Sequence, residues 1–362
     1  MTKLLNSFFN LEEHNTDVKT EVVAGFTTFM TMAYIIFVNP SIVSETGMPF
    51  QAVMIATAMS AAFATLCMAF LANYPFALAP GMGLNAYFTY TVVLGMGLSW
   101  QEALGAVFVS GVIFLILTLT KVRQTIINSM PLTLKSSVSA GIGLFIAFIG
   151  LQNADVVVNS DATLVTLGNL TDPSAILAIV GIIITGLLMA KDVKGSILIG
   201  ILLTTALGVP LGITEMPSGI IEIPSFSTWA PVVLKADISG ALNAGILTIV
   251  FAFLFVDLFD TAGTLVGVSH QAGFLDEDGN LPKADRALLA DSLGTIGGSM
   301  MGTPTVTTYV ESASGVAQGG RTGLTGVVIA LCFLASIFFS PIIGIVPPAA
   351  TAPALIIVGS IM

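Results

Sequence analysis

The sequence predicts an all-α polytopic membrane protein, built as an inverted repeat of seven plus seven helices in which two broken helices carry short antiparallel strands. Three observations lead to this prediction: the composition, a series of twelve apolar segments, and two segments broken by proline at matched places. Of the 362 residues, 55% are hydrophobic and 9% are charged, whereas a soluble domain carries about 25% charged residues. The lipid bilayer is therefore the expected surroundings of most of the chain.

Composition also argues against several classes of function. The net charge is −10 and no basic patch is present, which disfavours nucleic-acid binding. Cys67 and Cys332 lie inside apolar segments, where packing is the expected role of a cysteine rather than a disulfide or metal ligand. The only histidines are His14 and His270, so a histidine-based metal site is not expected. We predict no cofactor other than a coupling ion.

The twelve apolar segments are long enough to cross a bilayer, either whole or as broken helices. The first is too long for a signal peptide and ends in Asn39-Pro40 rather than at a cleavage site. The third and tenth are the broken ones, and this spacing is expected of a seven-plus-seven repeat, whose odd number inverts the second half. Two segments are missing from fourteen, so we expect a chain truncated after helix twelve. The segments are about 22–43, 51–72, 79–96, 101–120, 134–152, 173–190, 195–214, 240–268, 287–301, 304–320, 322–342 and 347–362.

The distribution of positive charge predicts the orientation. With a cytoplasmic N-terminus, ten of the eleven Lys and Arg residues fall on the inside and only Lys235 falls outside, as the positive-inside rule requires. The loop 152–172 carries acidic residues without Lys or Arg, which suits an outside position. We therefore expect a multi-pass protein of the plasma (inner) membrane. The ten inside residues are Lys3, Lys19, Lys121, Arg123, Lys135, Lys191, Lys194, Lys283, Arg286 and Arg321.

The eighth segment carries a polar stripe. Asp260, Thr261 and Thr264 lie three, four and seven residues after Asp257, so an α-helix places all four on one face. Such a stripe on an apolar helix has to face a cavity or another helix. Two carboxylates this close do not both ionise easily in an apolar site, so at least one is expected to titrate near neutrality. The alternative is a structural aspartate that hydrogen-bonds a neighbouring helix.

The two broken segments predict where a ligand would bind. Extended pieces near Ala79–Leu84 and Thr305–Tyr309 are expected to pair antiparallel, with Pro80 at the beginning of a strand. Asn85 and Glu311 then open the helices that follow, whose N–H groups would suit a carbonyl, while Glu311 would suit a ligand's N–H groups. A ligand with both groups is a lactam, such as a purine or pyrimidine base. Broken helices in matched halves are typical of a secondary transporter's binding site.

Three stretches in order and spacing resemble the AzgA-like purine permeases, a branch of the nucleobase–cation symporters that includes guanine/hypoxanthine permeases: Ala79–Phe88, Val256–Thr264 and Thr307–Ser312. The resemblance implies proton-driven import of a purine nucleobase by movement of a core domain against a gate domain. It divides the chain into a first core half at 1–130, a first gate half at 131–214, an extracellular connection at 215–239, a second core half at 240–342, and the start of the second gate half at 343–362.

Roles for individual residues also follow from the resemblance and its motif positions. The expected substrate-binding residues are Glu311, Asp257, Asn85, Thr308 and Phe259. The expected proton-coupling residues are Asp260 and Asp257. Thr261 stands where the uracil and xanthine branches have a histidine, which moves the expected proton site to the aspartates.

Other readings of the sequence stay open. A transporter of the same architecture could carry another nucleobase or a small anion, although no Lys or Arg lies in segments three, eight or ten. A membrane enzyme ranks lower, because the apolar segments hold no histidine to activate a nucleophile. The choice between guanine or hypoxanthine and adenine, and between proton and sodium coupling, is not decided by the sequence. Neither is the oligomeric state, for which a homodimer is one option.

Overall fold

The computed structural model describes residues 2–120, 132–217, 219–242, 246–276 and 281–361. Lys121, Arg123 and the predicted domain boundary between residues 130 and 131 lie outside these ranges. Six helical stretches are long and apolar enough to cross a membrane. They are Val18–Thr46, Phe50–Leu71, Trp100–Leu119, Pro173–Ala190, Leu247–Ala272 and Gly323–Ile343.

The helix bounds follow the predicted apolar segments to within a few residues for most segments. Short 3₁₀ helices extend two of the helices at Ser44–Thr46 and Ile337–Phe339, and a π-helix occupies Tyr87–Gly95. The α-helices are Thr2–Phe9, Val18–Met32, Ile35–Val43, Phe50–Leu71, Met82–Ala86, Trp100–Leu119, Leu132–Asn153, Pro173–Ala190, Ser196–Gly208, Phe226–Trp229, Ile238–Ala241, Leu247–Ala272, Ala284–Met301, Ser312–Ala317, Gly323–Ser336, Ser340–Ile343 and Pro348–Ile361.

Helix starts follow ordinary capping chemistry. The Asp17 carboxylate accepts a hydrogen bond from the Thr20 backbone N–H at 2.7 Å and so caps the helix Val18–Met32. Hydrogen bonding by Thr20 also holds the pKa of Asp17 below its usual value. Ser99 and Glu102 form a reciprocal capping box at the start of Trp100–Leu119. These caps place the first turns where the polar ends of apolar helices meet water.

The two halves of the chain exchange contacts symmetrically. The helix Phe50–Leu71, which precedes the first break, packs against Gly323–Ser336, and the corresponding helix Ala284–Met301 packs against Trp100–Leu119. Glycine permits both approaches. A Cβ at Gly326 would lie 3.1 Å from the Ala69 Cβ, and a Cβ at Gly111 in the helix Trp100–Leu119 would be similarly crowded by Ile296. This reciprocal packing confirms the inverted-repeat transporter fold.

The breaks pair as a small buried sheet. Strand β1 (Leu78–Pro80) lies antiparallel to a strand of the second half, Val306–Thr308, which becomes β4 in chain order. Leu78 opposes Thr308, and Pro80 opposes Val306. All six residues are buried, so this pairing satisfies backbone groups that hydrocarbon could not. The predicted antiparallel pair is confirmed.

The position of Pro80 was predicted wrongly. It ends β1 rather than beginning it, and the helix starts at Met82 instead of after Leu84. The flanking bonds run from the Gly81 N–H to the Thr305 carbonyl at 2.9 Å and from the Tyr309 N–H to the Ala77 carbonyl at 2.9 Å. Because bonding positions alternate along an antiparallel pair, the Pro80 nitrogen faces away from the partner strand and its missing N–H leaves no gap.

Two outer connections contain structure that the sequence did not indicate. The loop 152–172 holds a hairpin of β2 (Val157–Ser160) and β3 (Leu164–Leu167). The connection 215–239 contains the short helix Phe226–Trp229. The indole of Trp229 donates to the Met301 carbonyl at 2.9 Å, and this contact folds the connection back onto the helix ends.

We expect Gly315→Ala to destabilise the protein. Gly315 lies in the half-helix Ser312–Ala317, and a Cβ there would come within 2.1 Å of the Thr28 hydroxyl and 2.7 Å of the Ala24 carbonyl. Overpacking of this kind costs about 1–3 kcal/mol, so the thermal unfolding midpoint in detergent should fall. Gly263→Ala is the matched control, because a Cβ there meets nothing within 4 Å. A Gly315→Ala midpoint equal to that of the wild type would contradict the packing argument.

Candidate functional site

A cavity of about 600 Å³ lies where the strands end and the half-helices begin. The broken segments and the helix Leu247–Ala272 form one side, and the helices Leu132–Asn153 and Pro348–Ile361 form the other. Its volume is within the range of about 300–1,000 Å³ typical of small-molecule sites. The lining residues are Tyr34, Gly81, Met82, Gly83, Leu84, Ile142, Ile146, Val256, Phe259, Asp260, Ala262, Gly263, Thr264, Val266, Gly267, Thr307, Thr308, Tyr309, Val310, Glu311, Val358 and Ile361.

Glu311 is presented to the cavity by the second break. It occupies the N-cap position of the half-helix Ser312–Ala317, three residues after the last residue of β4. The Tyr34 hydroxyl donates to the Glu311 Oε1 atom at 2.6 Å. Tyr34 itself lies at the interruption between Met32 and Ile35 in the first membrane segment. This hydrogen bond holds the carboxylate in one orientation at the cavity wall, where it can accept hydrogen bonds from a bound molecule.

Three more of the predicted residues line the same cavity. Asp260 lies at the cavity wall beside Thr307, and both side chains are next to Gly81. Thr308 is 2% exposed, and its hydroxyl has no hydrogen-bond partner among the described residues, so a ligand could supply one. The Phe259 ring adds an apolar surface and packs edge-on against Phe255, with ring centroids 4.4 Å apart. Together with Glu311 they provide acceptors, a hydroxyl and a ring face.

The polar stripe of the eighth segment divides between two environments. Asp260 and Thr264 line the cavity, whereas Asp257 and Thr261 are buried and are not among its lining residues. The Thr261 hydroxyl lies 3.4 Å from the Asp257 Oδ1 atom and 3.1 Å from each carboxylate oxygen of Asp291. The substrate-binding role of Asp257 therefore stays a prediction, and its carboxylate contacts Thr261 one turn further along its own helix.

Asp291 was missed by the sequence analysis. It lies in the helix Ala284–Met301 and is 0% exposed. A carboxylate inside an apolar segment is the signal that could have revealed it, because ionisable groups at membrane depth are costly and usually have a role. This buried acidic residue therefore comes from a helix that does not line the cavity.

Asn85 lies outside the cavity lining and forms part of a buried amide network. Its Nδ2 atom donates to the Asn39 Oδ1 atom at 2.6 Å. Asn39 in turn donates to the hydroxyls of Thr57 at 2.7 Å and Thr303 at 3.0 Å. This network joins the first half-helix to the helices Ile35–Val43 and Phe50–Leu71, so it positions the break. The substrate-binding role of Asn85 also stays a prediction.

A further buried carboxylate, Glu21, has a structural role. It is 0% exposed and accepts hydrogen bonds from the backbone of Arg321 at 2.9 Å and of Thr325 at 3.1 Å. The Thr325 hydroxyl also donates to it at 2.6 Å. These contacts cap the helix Gly323–Ser336 from the other half of the chain. Burial of a carboxylate alone therefore does not identify a ligand site in this protein.

The chain has two proline-broken segments that pair as strands, half-helices that begin at a cavity, and carboxylates that face the cavity. These features define a membrane transporter of the inverted-repeat class. The chain matches the Permease family (Xan_ur_permease) over residues 19–362 and belongs to that family. It is a membrane transporter and not an enzyme.

Relatives align with nearly the whole chain. One from Methanocaldococcus jannaschii, named as a permease without a stated substrate, is 58% identical over 99% of this chain and 82% of its own length. The adenine permease AdeP of Escherichia coli is 46% identical over 99% of this chain and 80% of its own length. The guanine/hypoxanthine permease PbuG of Bacillus subtilis is 46% identical over 99% and 83%, respectively.

Solved structures of other transporters share the fold. The transmembrane domain of the cyanobacterial bicarbonate transporter BicA superposes with a TM-score of 0.72 at 15% identity, covering 94% of this chain and 87% of that domain. The murine anion transporter Slc26a9 in its inward-facing state gives a TM-score of 0.64 at 12% identity, covering 94% of this chain and 59% of that protein. At these identities the likeness concerns the fold alone.

Gly83→Ala is expected to lower transport about tenfold. A Cβ at Gly83 would lie 2.2 Å from the Ile142 Cγ2 atom, so the first half-helix can touch the helix Leu132–Asn153 this closely only with glycine. In the alanine variant the two helices would have to move apart, so the packing seen here would be disfavoured by about 1–3 kcal/mol. Removing the opposing atom with Ile142→Ala should restore uptake in the double variant. If the double variant is as slow as Gly83→Ala alone, the steric explanation is wrong.

Proposed function

We propose that this protein imports purine nucleobases, with guanine and hypoxanthine as the main substrates, by proton symport. The observation that carries the proposal is the cavity at the paired breaks, where Glu311 and Asp260 face an otherwise largely apolar space. Two relatives named guanine/hypoxanthine permeases, PbuG and PbuO, are 46% and 44% identical to the chain. Their similarity supports a nucleobase as the class of substrate.

The chemistry of the cavity favours a base that donates hydrogen bonds. Guanine presents N1–H and an exocyclic amine side by side, which two oxygens of one carboxylate can accept together. Hypoxanthine presents N1–H beside a carbonyl, which a hydroxyl such as that of Thr308 can donate to. The ring face would lie against Phe259, since aromatic rings prefer such stacked or edge contacts.

Adenine is the second candidate, because AdeP is as similar to this chain as PbuG is. Its N1 atom is an acceptor, so a carboxylate would have to be protonated to pair with both N1 and the exocyclic amine. Binding of adenine should therefore strengthen at lower pH relative to binding of guanine. A small anion is disfavoured, because the lining has two carboxylates and no Lys or Arg.

The position of the cavity supports a core-against-gate mechanism. Ile142 and Val358 belong to helices of the proposed gate, and Glu311 and Asp260 belong to the proposed core. Relative movement of the two parts would open the cavity to one side of the membrane and then to the other. The charge distribution supports a cytoplasmic N-terminus in the plasma membrane.

Uptake of labelled hypoxanthine into cells that express the full-length protein tests this proposal. Unlabelled guanine should compete strongly, and uracil and bicarbonate should not compete. An imposed inward pH gradient should drive uptake, and an imposed sodium gradient should not. Lack of competition by any purine would refute the substrate class, whereas sodium-driven uptake would refute only the coupling ion.

A further inference from the structure

A chain of hydroxyl groups connects the cavity to the buried Asp291. Asp260 and Thr307 both line the cavity, and both side chains lie next to Gly81. The Thr307 and Thr261 hydroxyl oxygens are 3.1 Å apart, and either can be the donor. Thr261 is in turn 3.1 Å from both carboxylate oxygens of Asp291. The links from Thr307 through Thr261 to Asp291 are therefore close enough for direct hydrogen bonds, and Asp260 lies beside Thr307 at the cavity end of the path.

The hydrogen bonds along this path can run in either direction. A hydroxyl donates one hydrogen and accepts through its lone pairs, so two hydroxyls in contact can reverse their donor and acceptor roles together. Thr307 belongs to β4 and Thr261 to the helix Leu247–Ala272, and both are 2% exposed or less. Thr307 still lines the cavity whereas Thr261 does not, so the Asp260 end of the path is open to the cavity and the Asp291 end is buried.

The described helices and strands that pack around Asp291 carry few other ionisable side chains. From the helix Leu247–Ala272 it faces Asp257, whose Oδ1 atom is the more distant neighbour of Thr261 at 3.4 Å, and Asp260 is near enough to interact electrostatically. Two helices pack against Ala284–Met301. The only ionisable side chain of Phe50–Leu71 is Cys67, and the only one of Trp100–Leu119 is Glu102, which lies in the first turn of that helix. Strands β1 and β4 contain no ionisable side chain.

We propose that Asp291 stores the co-transported proton, acting through Thr261 and Thr307 as the partner of Asp260. Protonated Asp260 gives its proton to the Thr307 oxygen, Thr307 passes its own hydrogen to Thr261, and Thr261 passes its own to Asp291. Each hydroxyl keeps one hydrogen, Asp260 becomes ionised, and Asp291 becomes neutral; the reverse shift returns the proton. This inference rests on the proposed proton symport and adds a residue outside the cavity to it.

Proteoliposomes containing the full-length protein separate coupling from substrate binding. Counterflow of labelled hypoxanthine without a gradient reports binding and movement, and accumulation under an inward gradient of one pH unit reports coupling. One coupled proton supports about tenfold accumulation under that gradient, since a factor of ten corresponds to about 1.4 kcal/mol. Asp291→Asn and Thr261→Val should keep counterflow within about twofold of wild type and lose the accumulation.

Two variants serve as controls. Thr261→Ser retains the hydroxyl and should accumulate hypoxanthine as the wild type does. Ser292→Ala changes a buried hydroxyl beside Asp291 that donates to the Leu288 carbonyl of its own helix at 2.9 Å, and it should leave both assays unchanged. This pair distinguishes loss of the hydroxyl path from a general disturbance of the helix.

The inference is overturned if Asp291→Asn accumulates hypoxanthine normally, or if it loses counterflow along with accumulation, because the residue would then act in binding or folding. Uncoupling by Asp257→Asn but not by Asp291→Asn would assign the storage role to Asp257. Wild-type protein that shows counterflow but accumulates only under a sodium gradient would overturn proton storage and leave the purine substrate intact. Wild-type protein without counterflow of any purine would overturn the proposed function itself.

Discussion

Glu311→Gln is expected to lower hypoxanthine uptake by at least about tenfold. The carboxylate offers only acceptors to the cavity, and one of its oxygens already accepts from Tyr34 at 2.6 Å. Glutamine keeps the size but replaces one acceptor with an N–H donor, which would face the N–H groups of the base. A buried polar group left without a partner costs about 1–3 kcal/mol, and transport should fall accordingly. Initial uptake rates and competition by unlabelled guanine measure the effect.

A closely matched control is Glu45→Gln. Glu45 also accepts a tyrosine hydroxyl, from Tyr90 at 2.9 Å, but it does not line the cavity. Its uptake rate should stay within about twofold of wild type, while Tyr34→Phe should show an intermediate loss because it only frees the orientation of Glu311. Equal effects of the Glu45 and Glu311 substitutions would show that Glu311 has no special place in the site.

Asp260→Asn is expected to abolish pH-driven accumulation while retaining hypoxanthine binding. The asparagine amide keeps the shape and can still meet Thr307, but it cannot take up or release the coupled proton. Accumulation under a gradient of one pH unit should therefore fall about tenfold, and binding to the purified protein should change little. Equilibrium binding and proteoliposome accumulation measure the two properties separately.

The companion variant Asp257→Asn decides between the two aspartates. If the roles inferred from the family motif hold, Asp257→Asn weakens binding and Asp260→Asn does not. The two environments favour the opposite assignment, because Asp260 lines the cavity whereas Asp257 is 1% exposed and contacts Thr261. Loss of affinity in Asp260→Asn with normal affinity in Asp257→Asn would exchange the two assignments.

Sequence pattern was sufficient for the membrane fold and for the paired breaks. A membrane-spanning helix must be about as long as the hydrocarbon layer is thick, so apolar segments of that length can be recognised directly in the sequence. A proline followed by β-branched residues at membrane depth must find a partner for its backbone, and the matched break in the other half was the available one. Glu311 followed from its place at the second break, Thr308 and Phe259 followed from the resemblance to the purine permeases, and all three line the cavity.

The tertiary structure alone decided which carboxylates share an environment. Helical spacing places Asp257 and Asp260 on one broad face, but a difference of three residues is enough to place Asp260 on the cavity wall and Asp257 in the protein interior beside Thr261. The contact of Thr261 with Asp291 joins residues 30 apart, and its contact with Thr307 joins residues 46 apart. No local pattern contains such pairings, because they depend on how the helices and β4 pack around one another.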